Sequence, residues 1–255
     1  MTNGSVAIGV VRKVLDLILD VLYPHKCPSC RKIVRSEGFC PDCWKKLKFI
    51  GNPHCVICGK PLDVNIDYEL LCAECQRKKY YFNRSLSVFV YNDTIAKAIF
   101  QFKFYQKTFL AGFLAKFLLA KYSEIHHTID FIVPVPLHVK KLRRRGYNQA
   151  FLLAKELSKL TDVPCIGNFL QKQTNTKPQV AIGREKRLTN LRSAFLLGEK
   201  YNKLVVGKNI LIVDDVVTTG TTVNECAKVL KNNGAQMVFV LSLAKTHRNG
   251  GKFHI

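Results

Sequence analysis

Ile210-Leu211-Ile212-Val213-Asp214-Asp215-Val216-Val217-Thr218-Thr219-Gly220-Thr221-Thr222 joins four apolar residues, two adjacent carboxylates and a glycine flanked by hydroxyls. The uninterrupted aliphatic run reads as a strand buried on both faces. Beyond Gly220, the residues Val223, Ala227, Val229 and Leu230 have helical spacing, and the helix stops near Asn233-Gly234. The turn therefore sits where a parallel sheet hands over to a helix, the usual place for a ligand in an open α/β sheet. A helix N-terminus offers unpaired N–H groups and a partial positive charge, both suited to a phosphate. Thr218, Thr219, Thr221 and Thr222 add hydroxyl donors, and Gly220 permits close backbone approach. Asp214 and Asp215 would repel a phosphate but accept hydrogen bonds from a diol. A loop that favours phosphate beside a pair that favours hydroxyls describes a sugar phosphate.

This run resembles, without a gap, the phosphoribosyl-pyrophosphate (PRPP) motif of type I phosphoribosyltransferases. The resemblance implies that Asp214 and Asp215 hold the ribose 2′- and 3′-hydroxyls while the segment Val216, Val217, Thr218, Thr219, Gly220, Thr221 and Thr222 holds the 5′-phosphate. No G-x-x-x-x-G-K-[ST] sequence is present, so a Walker-type nucleotide site lacks its lysine.

A chain of 255 residues accommodates one medium α/β domain and a small appendage. No apolar run approaches the roughly 18 residues of a spanning helix. The N-terminus lacks the basic region, apolar core and cleavage site of a secretory leader, so the expected location is the cytoplasm. The net charge of +22 points to anionic ligands or partners. Residues 1–82 carry 13 Lys/Arg against 8 Asp/Glu, whereas residues 83–255 carry 27 against 10. The basic field thus belongs to the second part of the chain.

Eight cysteines form four C-x-x-C pairs: Cys27/Cys30, Cys40/Cys43, Cys55/Cys58 and Cys72/Cys75. Each pair can bite one tetrahedral zinc from a tight turn, and two pairs close a structural site. Four such pairs in a cytoplasmic chain favour metal over disulfide, giving two zinc sites of four cysteines each. The sites pair either sequentially, as two successive ribbons, or in a cross-braced manner. Four thiolates leave no open position, so these zincs are structural, and metal binding would fold the segment. Cys165 and Cys226 stand alone as core residues, and His54 is a bystander. Residues 1–24 carry an amphipathic helix (Val10, Val14, Leu17/Ile18, Val21), residues 25–82 the double ribbon, and residues 83–255 the α/β domain.

From Ser85 the pattern alternates. Ser85–Tyr91, Asp130–Val133 and Met237–Leu243 read as strands, and Thr94–Phe104, Phe109–Tyr122 and Asn148–Leu160 as helices. Strands separated by helices imply a mostly parallel sheet with helices on both faces. The strand at Asp130 runs into Pro134-Val135-Pro136-Leu137-His138, then a basic stretch that includes Lys140, Lys141, Arg143, Arg144 and Arg145. Basic groups after a strand end suit a pyrophosphate, which needs multiple donors. In phosphoribosyltransferases a pyrophosphate loop follows an earlier strand, often with a strained peptide exposing N–H groups. That resemblance makes Val135-Pro136 the candidate peptide here, with Arg143, Arg144 and Arg145 beside it.

The double ribbon, the Phe102-Lys103-Phe104 segment, Val133-Pro134-Val135-Pro136-Leu137-His138, Arg143-Arg144-Arg145-Gly146-Tyr147-Asn148-Gln149-Ala150 and the PRPP motif together resemble the ComF (ComFC) family of competence proteins. The resemblance extends to the segment Lys172–Phe195 through Thr176, Gln179, Arg187 and Asn190, and departs where Lys172 and Thr174 stand at positions that are often arginine. It implies a role in DNA uptake for natural transformation, PRPP with Mg²⁺ as ligands, and phosphoribosyl transfer to an acceptor that the residues do not identify. The alternative is a binding module for single-stranded DNA and for proteins of the competence machinery, with PRPP sensed or ignored. Phe100, Phe102, Phe104, Tyr105 and Tyr147 lie among the bases and suit stacking on nucleobases, although Phe100 and Phe104 are expected in the core. His126, His127 and His138 are candidate bases by residue type alone.

Overall fold

The computed structural model describes residues 24–62, 70–105, 108–125, 127–173 and 194–247. The expected N-terminal helix, and Thr174, Thr176, Gln179, Arg187 and Asn190, lie outside the described residues. Two short helices, α1 (Pro41–Trp44) and α2 (Ala73–Arg77), belong to the cysteine-rich front end. The order that follows is β1 (Arg84–Val90), α3 (Asp93–Phe104), α4 (Leu110–Tyr122), β2 (Phe131–Pro134), α5 (Val139–Arg145) and α6 (Gln149–Thr161). The hairpin strands β3 (Leu170–Lys172) and β4 (Phe195–Leu197) precede β5 (Asn209–Val217), α7 (Thr221–Asn232) and β6 (Met237–Lys245).

Four strands form a parallel sheet in the order β1-β6-β5-β2. The period of two along each strand divides its side chains between two layers. Leu211, Val213, Phe239, Leu241 and Leu243 pack with α3, α4 and α6 on one face, while Ile210, Ile212, Val238 and Val240 pack with α7 and the β3–β4 hairpin on the other. This is the doubly covered sheet that the aliphatic runs require. Inside it, Ser87 and Ser242, opposite each other in β1 and β6, share a hydroxyl hydrogen bond of 2.7 Å.

Both sheet edges are covered, which removes the unpaired groups that would recruit another strand. At β1, Phe49 bridges antiparallel to Phe89, with Ile50 N–H donating to Val88 O and Val90 N–H to Lys48 O, each at 2.8 Å. At β2, Ile132 N–H donates to Pro164 O at 2.9 Å. The cysteine-rich module is thus joined to the sheet by backbone bonds. Its second half is anchored just as closely: Ser85 N–H donates to Ile57 O at 2.7 Å. A Cβ on Gly59, at φ +68°, would lie 2.3 Å from Ser85 O, so only glycine fits this approach.

Candidate functional site

In the front end, Cys27, Cys30, Cys40 and Cys43 converge, and so do Cys55, Cys58, Cys72 and Cys75, with the sulfurs of each set within 4.8 Å of one another. The pairing is therefore sequential and not cross-braced. Zinc–sulfur bonds of about 2.3 Å in a tetrahedron put sulfurs about 3.8 Å apart. Cys30 and Cys40 Sγ stand at 3.5 Å, and Cys58 and Cys72 Sγ at 3.7 Å. The Cys58 thiol, hydrogen-bonded to Cys55, holds the latter's pKa down at about 4. At Cys27, burial opposes ionisation, but backbone N–H groups of Cys40, Cys30 and Ser29 outweigh it and bring the pKa to about 7. Each set thus contains a thiol biased toward the thiolate that a metal needs. None of the described cysteines is in a disulfide.

The strand β5 carries Asp214 and Asp215 to the C-terminal edge of the sheet. Asp215 is 7% exposed and pairs with Lys103 Nζ of α3 at 2.9 Å. Asp214 Oδ1 accepts the Asp215 N–H at 2.8 Å. Burial, reinforced by the neighbouring Asp215 charge, pushes the Asp214 carboxyl up to about 7. Two adjacent carboxylates served by one lysine leave an acceptor-rich, partly protonated pair, chemistry that suits hydroxyl ligands. The Lys103 contact was not assigned from sequence. Its only signal was a lysine between two phenylalanines near a helix end.

The β5 strand runs further than the motif suggested. Val216 and Val217 are opposite Ala244 and Lys245 of β6, and Val217 O accepts the Thr246 N–H at 3.1 Å. These two valines belong to the ladder, so the exposed turn begins at Thr218. Gly220 is the N-cap of α7, at φ +76°, and supplies no side-chain cap. Thr219 Oγ1 accepts the Thr221 N–H at 3.4 Å and meets Thr221 Oγ1 at 2.9 Å. Thr218, Thr219, Thr221 and Thr222 are all exposed around this helix start.

Next to β5, β2 ends at Pro134. Val135 N–H donates to Val213 O at 2.9 Å, Val135 O accepts Asn148 Nδ2 at 3.0 Å, and Pro136 has no N–H. The Val135 N–H is thus taken by the ladder. Of the basic residues, α5 places Arg143 and Arg144 on the surface, whereas Arg145 is partly buried. Arg145 donates to Gln149 Oε1 at 2.8 Å, and its guanidinium lies 4.7 Å from the Phe104 ring centroid. Arg145 Nε and Gln149 Nε2 are buried donors without a hydrogen-bond partner.

The histidines divide by position. His127 precedes β2, at the opposite end of the sheet from the carboxylates, and its ring packs 5.3 Å from Phe239 at the start of β6. That placement removes it as a base for this site, and His126 lies outside the described residues. His138 caps α5, its Nδ1 accepting the Lys140 N–H at 3.1 Å. His54 bonds the Gly51 carbonyl and stands outside both cysteine sets. Of the aromatic residues, Phe102 is fully buried, whereas Phe100 and Phe104 are 52% and 45% exposed, against expectation. The α3 helix packs Ile95, Ile99 and Phe102 inward, which turns Phe100 and Phe104 outward. The Tyr147 hydroxyl donates to the Phe102 carbonyl.

Two family models match the chain: a double zinc ribbon domain over residues 18–76 and a phosphoribosyl transferase domain over residues 142–252. Competence protein F of Haemophilus influenzae is 30% identical over 230 residues, covering 88% of this chain and 98% of the relative. The DNA utilization protein YhgH of Escherichia coli is 32% identical over the same shares. Competence protein ComFC of Bacillus subtilis is 29% identical, covering 89% of this chain and 92% of its own. The chain belongs to the ComF (ComFC) family of competence and DNA-utilization proteins, a double zinc ribbon followed by a phosphoribosyltransferase fold.

Proposed function

We propose that this protein binds PRPP at the C-terminal edge of the sheet and, in the service of DNA uptake or utilization, transfers its phosphoribosyl group to an acceptor. The observation that carries the reading is the adjacency of Asp214, Asp215 and the open start of α7 at one strand end. In this reading Asp214 and Asp215 take the ribose hydroxyls, and Thr218–Thr222 take the 5′-phosphate. Arg143, Arg144 and Arg145 draw the pyrophosphate, and the two unpartnered donors, Arg145 Nε and Gln149 Nε2, await an acceptor there. As the bond from C1′ to the pyrophosphate oxygen breaks, its electron pair leaves with the pyrophosphate, and these cations stabilise that charge. Among the described residues, only the two cysteine sets gather three or more metal-ligating groups. In this reading Mg²⁺ is carried by the PRPP oxygens, as suits a cation that keeps its waters. Calorimetric titration with Mg²⁺ and PRPP tests the reading. Wild type should bind, and the Asp214→Asn/Asp215→Asn double variant should lose about a hundredfold in affinity; equal heats would end the proposal.

A second reading concerns single-stranded DNA. Phe100 and Phe104 rings lie 4.7 Å apart, with Tyr105 6.0 Å from Phe100, all exposed and joined to the basic α5 through Arg145. Exposed aromatics beside phosphate-binding cations suit stacked bases. Affinity for a fluorescent oligothymidylate should fall steeply between low and moderate salt. Replacing Phe100 and Phe104 with Ala should weaken it about tenfold; salt-independent binding would contradict the reading. Competence-machinery proteins and a cytoplasmic setting accompany both readings. No described helix is long and apolar enough to cross a membrane.

A further inference from the structure

The second zinc ribbon touches the turn that begins α7. Tyr80 is the hinge of this contact. Its ring packs against the Cys55, Cys58, Cys72 and Cys75 cluster and also against the core cluster that contains Val217 and Val223. It stacks on Phe82 with centroids 4.7 Å apart and rings 25° from parallel. Its hydroxyl donates to Glu74, which sits between Cys72 and Cys75 in α2, at 3.0 Å. A Cβ built on Gly220 would lie 3.8 Å from Tyr80 Cε1, so the ring edge covers the left-handed glycine of the turn. The next residue makes a second tie: Tyr81 N–H donates to Asn224 Oδ1, in the first turn of α7, at 2.7 Å. The Tyr81 ring also receives Lys228 Nζ of the same helix at 5.4 Å.

From this we infer that the second ribbon is a positioning element of the 5′-phosphate loop, acting through Tyr80 and Tyr81 on Gly220 and Asn224. The inference rests on the PRPP reading above and extends it to residues outside the phosphoribosyltransferase motif. A turn of exposed threonines around a positive-φ glycine has few internal bonds to fix it. An outside brace on both the glycine and the first helical turn would hold its N–H groups in one arrangement before ligand arrives, which lowers the ordering cost of binding. The first ribbon has no such contact among the described residues. It docks on α3, where Gln101 Nε2 donates to Pro28 O at 2.9 Å.

The test uses the full zinc-loaded chain and three probes: PRPP with Mg²⁺, ribose 5-phosphate, and inorganic pyrophosphate. Tyr80→Ala and Asn224→Leu are prepared with two zinc ions per chain confirmed by metal analysis. Each should weaken ribose 5-phosphate and PRPP about tenfold while pyrophosphate affinity stays within about twofold. Tyr80→Phe, which keeps the ring over Gly220, should recover most of the affinity. Trp44→Ala in the first ribbon should change none of the three. Unchanged ribose 5-phosphate binding in both Tyr80→Ala and Asn224→Leu, with wild type binding normally, would overturn the inference alone. Equal losses for all three probes would also overturn it, because they would mark a general structural role. A wild-type chain that binds neither PRPP nor ribose 5-phosphate would overturn the PRPP reading and this inference together.

Discussion

Replacing Asp214 with Asn removes one carboxyl from a pair of which Asp215 holds Lys103. The Asp214 carboxyl is held up to about 7 by burial and by the Asp215 charge, against an ordinary 3.8. Between those two values the folded chain carries a proton that the unfolded chain has lost. Folding stability therefore falls as pH rises from about 4 to about 7 and is flat above. A difference of roughly three pKa units corresponds to on the order of 4 kcal/mol between the ends of that window. Asp214 is nevertheless partly open to solvent, and screening there trims the realised penalty to roughly 2 kcal/mol. Asn keeps the oxygen that accepts the Asp215 N–H and never ionises. Asp214→Asn should accordingly be more stable than wild type by about 2 kcal/mol at pH 8, with the advantage shrinking as pH falls below about 7 and largely gone near pH 4. Urea unfolding followed by far-ultraviolet circular dichroism at pH 5, 6, 7 and 8 measures it, and calorimetry on the same samples should show weakened PRPP binding. A variant no more stable than wild type at pH 8, or an advantage that does not depend on pH, would refute the reasoning.

Lys103→Met leaves Asp215 buried without its cation and should cost about 2 kcal/mol, less than a fully buried pair because Lys103 is partly open to solvent. A double-mutant cycle with Asp215→Asn should return a coupling of about 1 kcal/mol or more, and additivity would exclude the pair as an energetic unit. Gly220→Ala forces an alanine to φ +76° but meets no atom closer than 3.8 Å, so its cost of about 1 kcal/mol is conformational. It should appear both in the urea midpoint and in weaker PRPP affinity, and an unshifted midpoint would contradict the assigned turn geometry. Metal analysis should return two zinc ions per chain, and Cys72→Ser should remove the ion of the second ribbon while sparing the first. Equal loss from both ribbons would argue against two independent, sequentially paired sites.

Sequence disclosed the parts of the fold that depend on local pattern. The aliphatic runs at Ile210–Val213 and Ile132–Val133 are strands because both of their faces are covered, and the cysteine spacing defined the ribbons because tetrahedral chelation is a local constraint. Contacts between distant segments left little trace. Lys103 and Asp215 are 112 positions apart, and nothing in the helical pattern of Asp93–Phe104 says which side chain meets a carboxylate. The same helix explains the misplaced phenylalanines: Phe100 and Phe104 are one turn apart, as core residues would be, but Phe102 occupies the buried face. At Val135-Pro136 a ladder bond takes the Val135 N–H, a matter of register that composition does not reveal. The join between Tyr80 and Gly220 belongs to the same class of long-range packing.

A crystal structure with PRPP and Mg²⁺ bound is the most direct test of the central claim. It should place the 5′-phosphate within hydrogen-bonding distance of the Thr218–Thr222 turn, the ribose hydroxyls on Asp214 and Asp215, and the pyrophosphate toward Arg145 and Gln149. PRPP bound elsewhere, or bound with its ribose hydroxyls away from Asp214 and Asp215, would contradict it.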